Sequence, residues 1–349
     1  MPHNDPGCRC AGHRPGHCKP VMLALLLLAT VLYVAPSVAN PYVLRLGQSQ
    51  PYNFLAYANT DVTGTSPASR AVVLVHGVKR NADDYYETGL KLLNKAGLDS
   101  RDNLLLALNF LTATDRHAGN DMPLWPRDQW MHGTASEQGR AGIEAFAVLD
   151  DVLAFLADRQ RFPALKEVVL IGHSAGSQLM QRYAMLGQGD SRLASLGIKV
   201  RYVISSPSSY LYLDENRVTA GTIGPVSAAD CPDYNRYRYG VEAPPPYLTR
   251  QQLSAEQLFR RYAARDVTFM VGEHDNNPEH RVLDRSCAAA LQGPNRLERQ
   301  LNYLRYEAFL SQKWGIAIHH PQITVPGVGH DAARLLTRDR VAERLFPKK

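Results

Sequence analysis

An α/β fold, with a mostly parallel sheet covered by helices on both faces and one inserted segment, is what this 349-residue sequence predicts. Three observations carry that expectation. Ala71–Val75, Leu104–Leu111 and Glu167–Ile171 are short, nearly unbroken apolar runs, the pattern of strands buried on both faces. Helix-length segments alternate with them, which implies parallel strands joined by crossovers. About 310 residues lie beyond a leader-like start, enough for one large domain or one domain with a cap.

The first 39 residues carry basic Arg9, Arg14 and Lys19, an apolar stretch Val21–Val34, and then Ser37-Val38-Ala39. This is the layout of an export signal with a small-x-small cleavage site, expected to be cut after Ala39. An uncleaved anchor is the alternative, although the apolar stretch falls short of the roughly 20 residues that span a bilayer. Cys8, Cys10, Cys18, His13 and His17 match a zinc site by residue type, but they lie in the segment to be removed, so no metal is expected. The domain is then 40–349, exported to the periplasm or secreted, with no stable membrane span after cleavage.

Three bases and one acid leave with the leader, so the formal charge falls from +6 to +4. With no Lys/Arg run longer than two, the chain has no nucleic-acid footprint. Cys231 and Cys287 remain, and two cysteines in an oxidising compartment are expected to pair.

Along the chain, Tyr52–Val62 and Ala71–Val75 read as strands, the second ending at His76-Gly77, and Leu104–Leu111 as a third. A polar and aromatic loop, His117–Gly133, precedes a helix expected over Glu137–Arg159, with Ile143, Phe146, Leu149, Leu153 and Leu156 on one face. The Glu167–Ile171 strand follows, then a helix at Gln178–Leu186 and a strand at Val200–Ile204. Ser205–Gln257, rich in tyrosine and holding Pro244-Pro245-Pro246, breaks the rhythm. It reads either as a cap over a site or as an irregular surface excursion. Strands return at Val267–Val271 and Ile323–Val325, with helices expected over Leu297–Trp314 and Asp331–Leu345.

Between strand and helix stands Gly172-His173-Ser174-Ala175-Gly176. The small residues permit a tight reversal that exposes Ser174 at its tip, and the following helix points its positive end at the same place. A serine hydroxyl needs a base, and the base needs an orienting acid. Asp275 follows a buried strand in Gly272-Glu273-His274-Asp275, and His330 follows the last strand in Gly327-Val328-Gly329-His330. All three candidates lie at carboxyl ends of expected parallel strands, where sites in such sheets form. Glu273 and Asp214 are rival acids. His76 and His173 read as loop-shaping residues, and His319 and His320 as surface or edge residues. Trp125 and Trp130 lie on the same edge and read either as lining a substrate pocket or as capping the core, and Tyr85 carries a weaker suggestion of the same kind.

Val75-His76-Gly77 after an early strand, the G-H-S-A-G elbow, G-E-H-D after a late strand and G-V-G-H near the C-terminus together resemble the α/β-hydrolase family, over about Ala71–Phe346. The order Ser, Asp, His is the one that family uses. The resemblance implies the α/β-hydrolase fold, in which the irregular 205–257 interval is expected to be a cap or lid, and an oxyanion hole from the Ala175 and Val78 N–H groups. His76-Gly77-Val78-Lys79 departs from the H-G-G-G of many lipases, and Ser177 replaces a small apolar residue. The function expected is that of a serine hydrolase cleaving a small or polymeric carboxylic ester through an acyl-enzyme. An amidase or peptidase with the same triad is the first alternative, and a non-catalytic binding module the second. No dinucleotide fingerprint or phosphate loop occurs, so no cofactor is implied. Without a coiled-coil seam, the chain is expected to be a monomer.

Overall fold

Strands of mostly apolar residues form an eight-stranded sheet in the order β1-β2-β4-β3-β7-β8-β11-β12. They are β1 Pro41–Leu46, β2 Tyr52–Ala58, β3 Arg70–Val75, β4 Asn103–Leu108, β7 Glu167–His173, β8 Lys199–Ser205, β11 Asp266–Gly272 and β12 Gln322–Val325. β1 and β2 pair antiparallel, as do β2 and β4; every later pairing is parallel. Two short strand pairs stand apart: β5 Pro123–Leu124 with β6 Gln138–Gly139, and β9 Asn216–Thr219 with β10 Thr222–Pro225. The structure, a computed structural model, describes Gly12, residues 41–227, Ala229 and residues 231–347. Two units are distinguished, Met1–Val38 and Ala39–Lys349, and everything below concerns the second. Apart from Gly12, the expected export signal lies outside the described residues.

Side chains alternate across the sheet and build two cores. In β3, Ala71, Val73 and Val75 join one core, while Val72 and Leu74 join the other. The first core packs α2 Ala145–Leu156, α3 Ala175–Leu186, α4 Asp190–Ser195 and α8 Arg296–Trp314 against the sheet. The second packs α1 Ala82–Lys95 with α9 Ala332–Leu336 and α10 Asp339–Leu345. Helices on both faces are what buried parallel strands require.

Several expectations are corrected. The helix expected from Glu137 spans only Ala145–Leu156, because Gly139 and Gly142 adopt positive φ and Gln138–Gly139 pairs as β6. One helix expected over Asp331–Leu345 is two, interrupted at Thr337. β1 and α1 were not foreseen from the sequence. The irregular interval holds the β9–β10 hairpin, then α5 Pro246–Thr249 and the start of α6 Ala255–Ala263. Part of it is core: the segment just after β8 is buried rather than exposed. Tyr210, Leu211, Tyr212 and Leu213 are at most 1% exposed and enter the first core, where Tyr210 stacks on Tyr303 at 4.4 Å. The Cys231–Cys287 disulfide forms as expected, with Cα atoms 5.9 Å apart, and ties this interval to α7 Cys287–Ala290.

Candidate active site

The main chain sets Ser174. It adopts φ 56° and ψ −115° between β7 and α3, a conformation that L residues adopt only under constraint. The constraint is close packing: a Cβ on Gly172 would stand 2.4 Å from the Gly176 carbonyl oxygen, and one on Gly176 would stand 2.3 Å from that of Val75. Ser174 N–H donates to Ser205 O at 2.9 Å, and the Ser177 hydroxyl donates to Ser174 O at 2.6 Å. The departure at Ser177 therefore adds a tie to the elbow.

Beyond β12, His330 comes to meet it. His330 Nε2 lies 2.9 Å from Ser174 Oγ, and Nδ1 lies 2.8 Å from Asp275 Oδ2. A carboxylate can only accept, so Nδ1 carries the proton and Nε2 is free to accept from the serine. The two loops are joined main chain to main chain, since Glu273 N–H donates to Val325 O and His274 N–H to Val328 O. The side chains of His330 and Asp275 are 8% and 3% exposed. Burial draws the His330 imidazole below its ordinary value; the Asp275 bond opposes this, and the Arg296 charge adds to it. For Asp275, burial alone would raise the carboxyl, but the His330 bond and the charges of His330 and Arg296 outweigh it and hold it low. The arrangement can pass a proton from Oγ to imidazole while a fixed negative charge stabilises the imidazolium.

The rival acids are otherwise engaged. Asp214 accepts from Lys313 Nζ at 2.9 Å and from the Tyr306 hydroxyl at 3.0 Å. Glu273 accepts from Gly327 N–H at 2.9 Å, bracing the loop that carries His330. His173 stacks 4.7 Å from the His330 ring, and burial holds it well below the usual histidine range. His320, expected at the surface or an edge, is a correction. It does precede the edge strand β12, but its side chain is fully enclosed, facing Glu307 of α8 and set edge-on to Tyr262 at 4.6 Å.

The turn bearing Val78 is built by buried side chains. His76 Nδ1–H donates to Gly77 O at 2.8 Å, and His76 Nε2 accepts from Phe110 N–H at 3.0 Å. Burial pushes the His76 pKa down to about 4, so the ring stays neutral. Arg80 N–H also donates to Gly77 O. In a trans peptide the Val78 N–H points opposite to that carbonyl, away from both partners. Ala175 opens α3, so its N–H has no carbonyl one turn earlier to bond.

Two open cavities meet at Ser174. The larger, about 990 Å³, runs past Lys79, Tyr85 and His280, and the smaller, about 400 Å³, past Met131, Gln178 and Arg238. Val78, Ser174 and Val282 border both. Tyr85 thus lies where the sequence suggested. Trp125 lines a separate depression beside Val78. Trp130 does not line a pocket surface: it is fully buried, stacked on Phe110 at 5.1 Å and set edge-on to His76 at 4.7 Å. Its indole is drawn inward by that aromatic cluster and supports the Val78 turn from beneath. Among the described residues, the 205–257 interval gives Ser208 and Arg238 to the smaller cavity, while residues 277–285 form much of the wall.

Sequence reasoning missed Arg296 and His280. Arg296 Nη1 lies 3.3 Å from Asp275 Oδ1 and 3.3 Å from His280 Nδ1. One signal was present: an arginine in the first turn of a helix opposes the macrodipole and invites a search for an acid. Among the described residues no group of three or more His, Cys, Asp or Glu side chains is arranged to hold a metal ion.

Solved structures similar to this chain include poly(aspartic acid) hydrolase-1 from Sphingomonas sp. KT-1, at 18% identity and TM-score 0.60, over 89% of this chain and 98% of that one. Another is LpqC, the poly(3-hydroxybutyrate) depolymerase from Bordetella parapertussis, at 21% identity and TM-score 0.61, over 88% and 89%. A search of curated proteins returned no match. The model of the alpha/beta hydrolase family matches residues 72–344, and with the sheet order and the strand–elbow–helix at its centre, the chain belongs to that family.

Proposed function

We propose that the protein is an exported serine hydrolase that cleaves carboxylic esters through an acyl-enzyme, with Ser174 as nucleophile, His330 as base and Asp275 as orienting acid. The continuous bond path from Ser174 Oγ through His330 to Asp275, at 2.9 and 2.8 Å, carries this reading. Ser174 Oγ attacks the ester carbonyl while His330 Nε2 takes its proton. The oxygen that becomes negative is received by the Val78 and Ala175 N–H groups, each worth roughly 3 kcal/mol to the tetrahedral state. Collapse expels the alcohol, which leaves with the proton from His330. Water, deprotonated by His330, then attacks the acyl-enzyme, and Ser174 regains a proton as the acid departs.

Cavities on both sides of Ser174 leave room for substrate beyond the acyl group and beyond the alcohol, which supports an extended or polymeric ester. The names of the two similar structures, a poly(aspartic acid) hydrolase and a poly(3-hydroxybutyrate) depolymerase, also concern polymers. The Cys231–Cys287 bond is of a kind that persists outside the cytoplasm, and no described helix is long and apolar enough to cross a membrane; both are compatible with export.

A fluorophosphonate probe tests the nucleophile. Wild-type protein is expected to label at one site, with labelling abolished in Ser174→Ala and the melting temperature unchanged. An alanine variant that labels at the wild-type rate would falsify the assignment. Turnover of matched ester and amide substrates separates an esterase from an amidase.

A further inference from the structure

Asp275 is gripped by the first turn of α8. Leu297 N–H donates to the Asp275 carbonyl at 3.2 Å, and the Arg296 guanidinium reaches its Oδ1. The Arg296 side chain is 1% exposed. Its other contacts also belong to the site: Nη2 donates to Val282 O at 2.9 Å, and Nη1 lies beside His280 Nδ1. Nε has no partner among the described residues. A buried guanidinium at a helix N-terminus is unfavourable by both desolvation and the helix dipole, and every group that compensates it belongs to the acid or to the cavity wall.

We infer that Arg296 is a positioning residue for the relay: it occupies Asp275 Oδ1 so that Oδ2 faces His330, and it fixes the His280–Val282 wall in register with that acid. This rests on the reading of Ser174, His330 and Asp275 as a hydrolytic relay. A carboxylate free to rotate about its Cα–Cβ and Cβ–Cγ bonds would offer His330 either oxygen or neither. A planar fork that donates to both Asp275 and Val282 removes that freedom, as an ammonium point charge does not.

The arrangement has an electrostatic signature. His330 is faced by Asp275 from the β11 turn, Arg296 from α8, His280 from the cavity wall, His173 and Ser174 from the elbow, Tyr85 from α1, and its neighbour Asp331. Arg296 and Asp275 are the charged pair buried with it. Loss of the Arg296 charge favours the protonated imidazole, so the acid limb of reactivity moves to higher pH. A side chain that only braced the fold would lower stability and leave the limb in place.

The rate of fluorophosphonate labelling against pH, for wild type, Arg296→Met and Arg296→Lys, each also in an Asp275→Asn background, tests the inference. Arg296→Met is expected to label about 10- to 100-fold more slowly at its optimum, the range that misplacement of a reacting group produces, with the limb displaced to higher pH. Arg296→Lys should restore the limb but only part of the rate. In the Asp275→Asn background, Arg296→Met should add little. A folded Arg296→Met with the wild-type limb overturns the proposal, as does an equal loss with and without Asp275. If the methionine variant does not fold, a lysine variant labelling at the full wild-type rate overturns it. Wild-type protein that does not label at all overturns the hydrolase reading itself, and the positioning role with it.

Discussion

Ser174 and Asp275 are held by opposite means. The proposed nucleophile is fixed by main chain, through a positive φ, two glycines at which an added Cβ would stand within 2.4 Å of a carbonyl oxygen, and backbone hydrogen bonds to Ser205 and Gln178. The proposed acid is fixed by a buried ionic side chain, Arg296, as much as by its own turn. A site held by backbone tolerates loss of its functional group without loss of structure. One held by a buried charge couples chemistry to stability, because removing either partner leaves the other uncompensated.

The largest effect that sharpens this contrast is expected at the acid. Asp275→Asn should reduce ester turnover by about 10⁴-fold through the wrong imidazole tautomer, and should also lower the melting temperature, because Arg296 loses its ion pair. Ser174→Ala loses activity without the second effect. Steady-state kinetics and thermal denaturation of the two variants side by side decide it; equal melting temperatures would break the comparison.

Gly172→Ala probes the other side. Its methyl must displace the Gly176 carbonyl, an overpacking change expected to destabilise by about 1–3 kcal/mol and to slow labelling of a serine whose own side chain is untouched. Unchanged labelling with reduced stability would show that the elbow gives way elsewhere.

The smallest expected effect is in pH. His330 must be neutral to accept the serine proton, and burial, reinforced by Arg296, draws its pKa down. The acid limb of kcat/KM is therefore expected below the ordinary histidine value of about 6.5, with activity falling as pH drops through it. A limb above that value would mean that the Asp275 bond outweighs burial.

The main-chain half of the site was legible in the sequence. Apolar runs ending in glycine-rich turns marked where Ser174, Asp275 and His330 would emerge, since strand burial and turn chemistry are local properties. What escaped depends on contacts distant in sequence. Arg296 carries only the weak signal of a base at the start of a helix, and its partner is settled when Asp275, 21 residues earlier, is packed beside it. Tyr210–Leu213 reads as irregular because its burial is set by Tyr303 and Tyr306 across the core. Trp130 read either as a pocket lining or as a cap over the core, and the choice is made by Phe110 and His76, which assemble the aromatic cluster that encloses it. The α1 helix was hidden by a mixed sequence, its buried side carrying Thr88 and Gly89 among Tyr85, Leu92 and Leu93.

Position in the sheet also orders events in time. The proposed nucleophile follows β7, the proposed acid follows β11, and the proposed base follows β12, the last strand of the sheet in sequence and one of its two edges. Ribosomes deliver chains from the N-terminus, so an elbow can fold while its proton acceptor has yet to be synthesised. On the proposed reading, a nascent or prematurely terminated chain carries a serine that no base has activated. Its reactivity appears only when the final strand docks, which makes completion of the sheet the event that arms the enzyme.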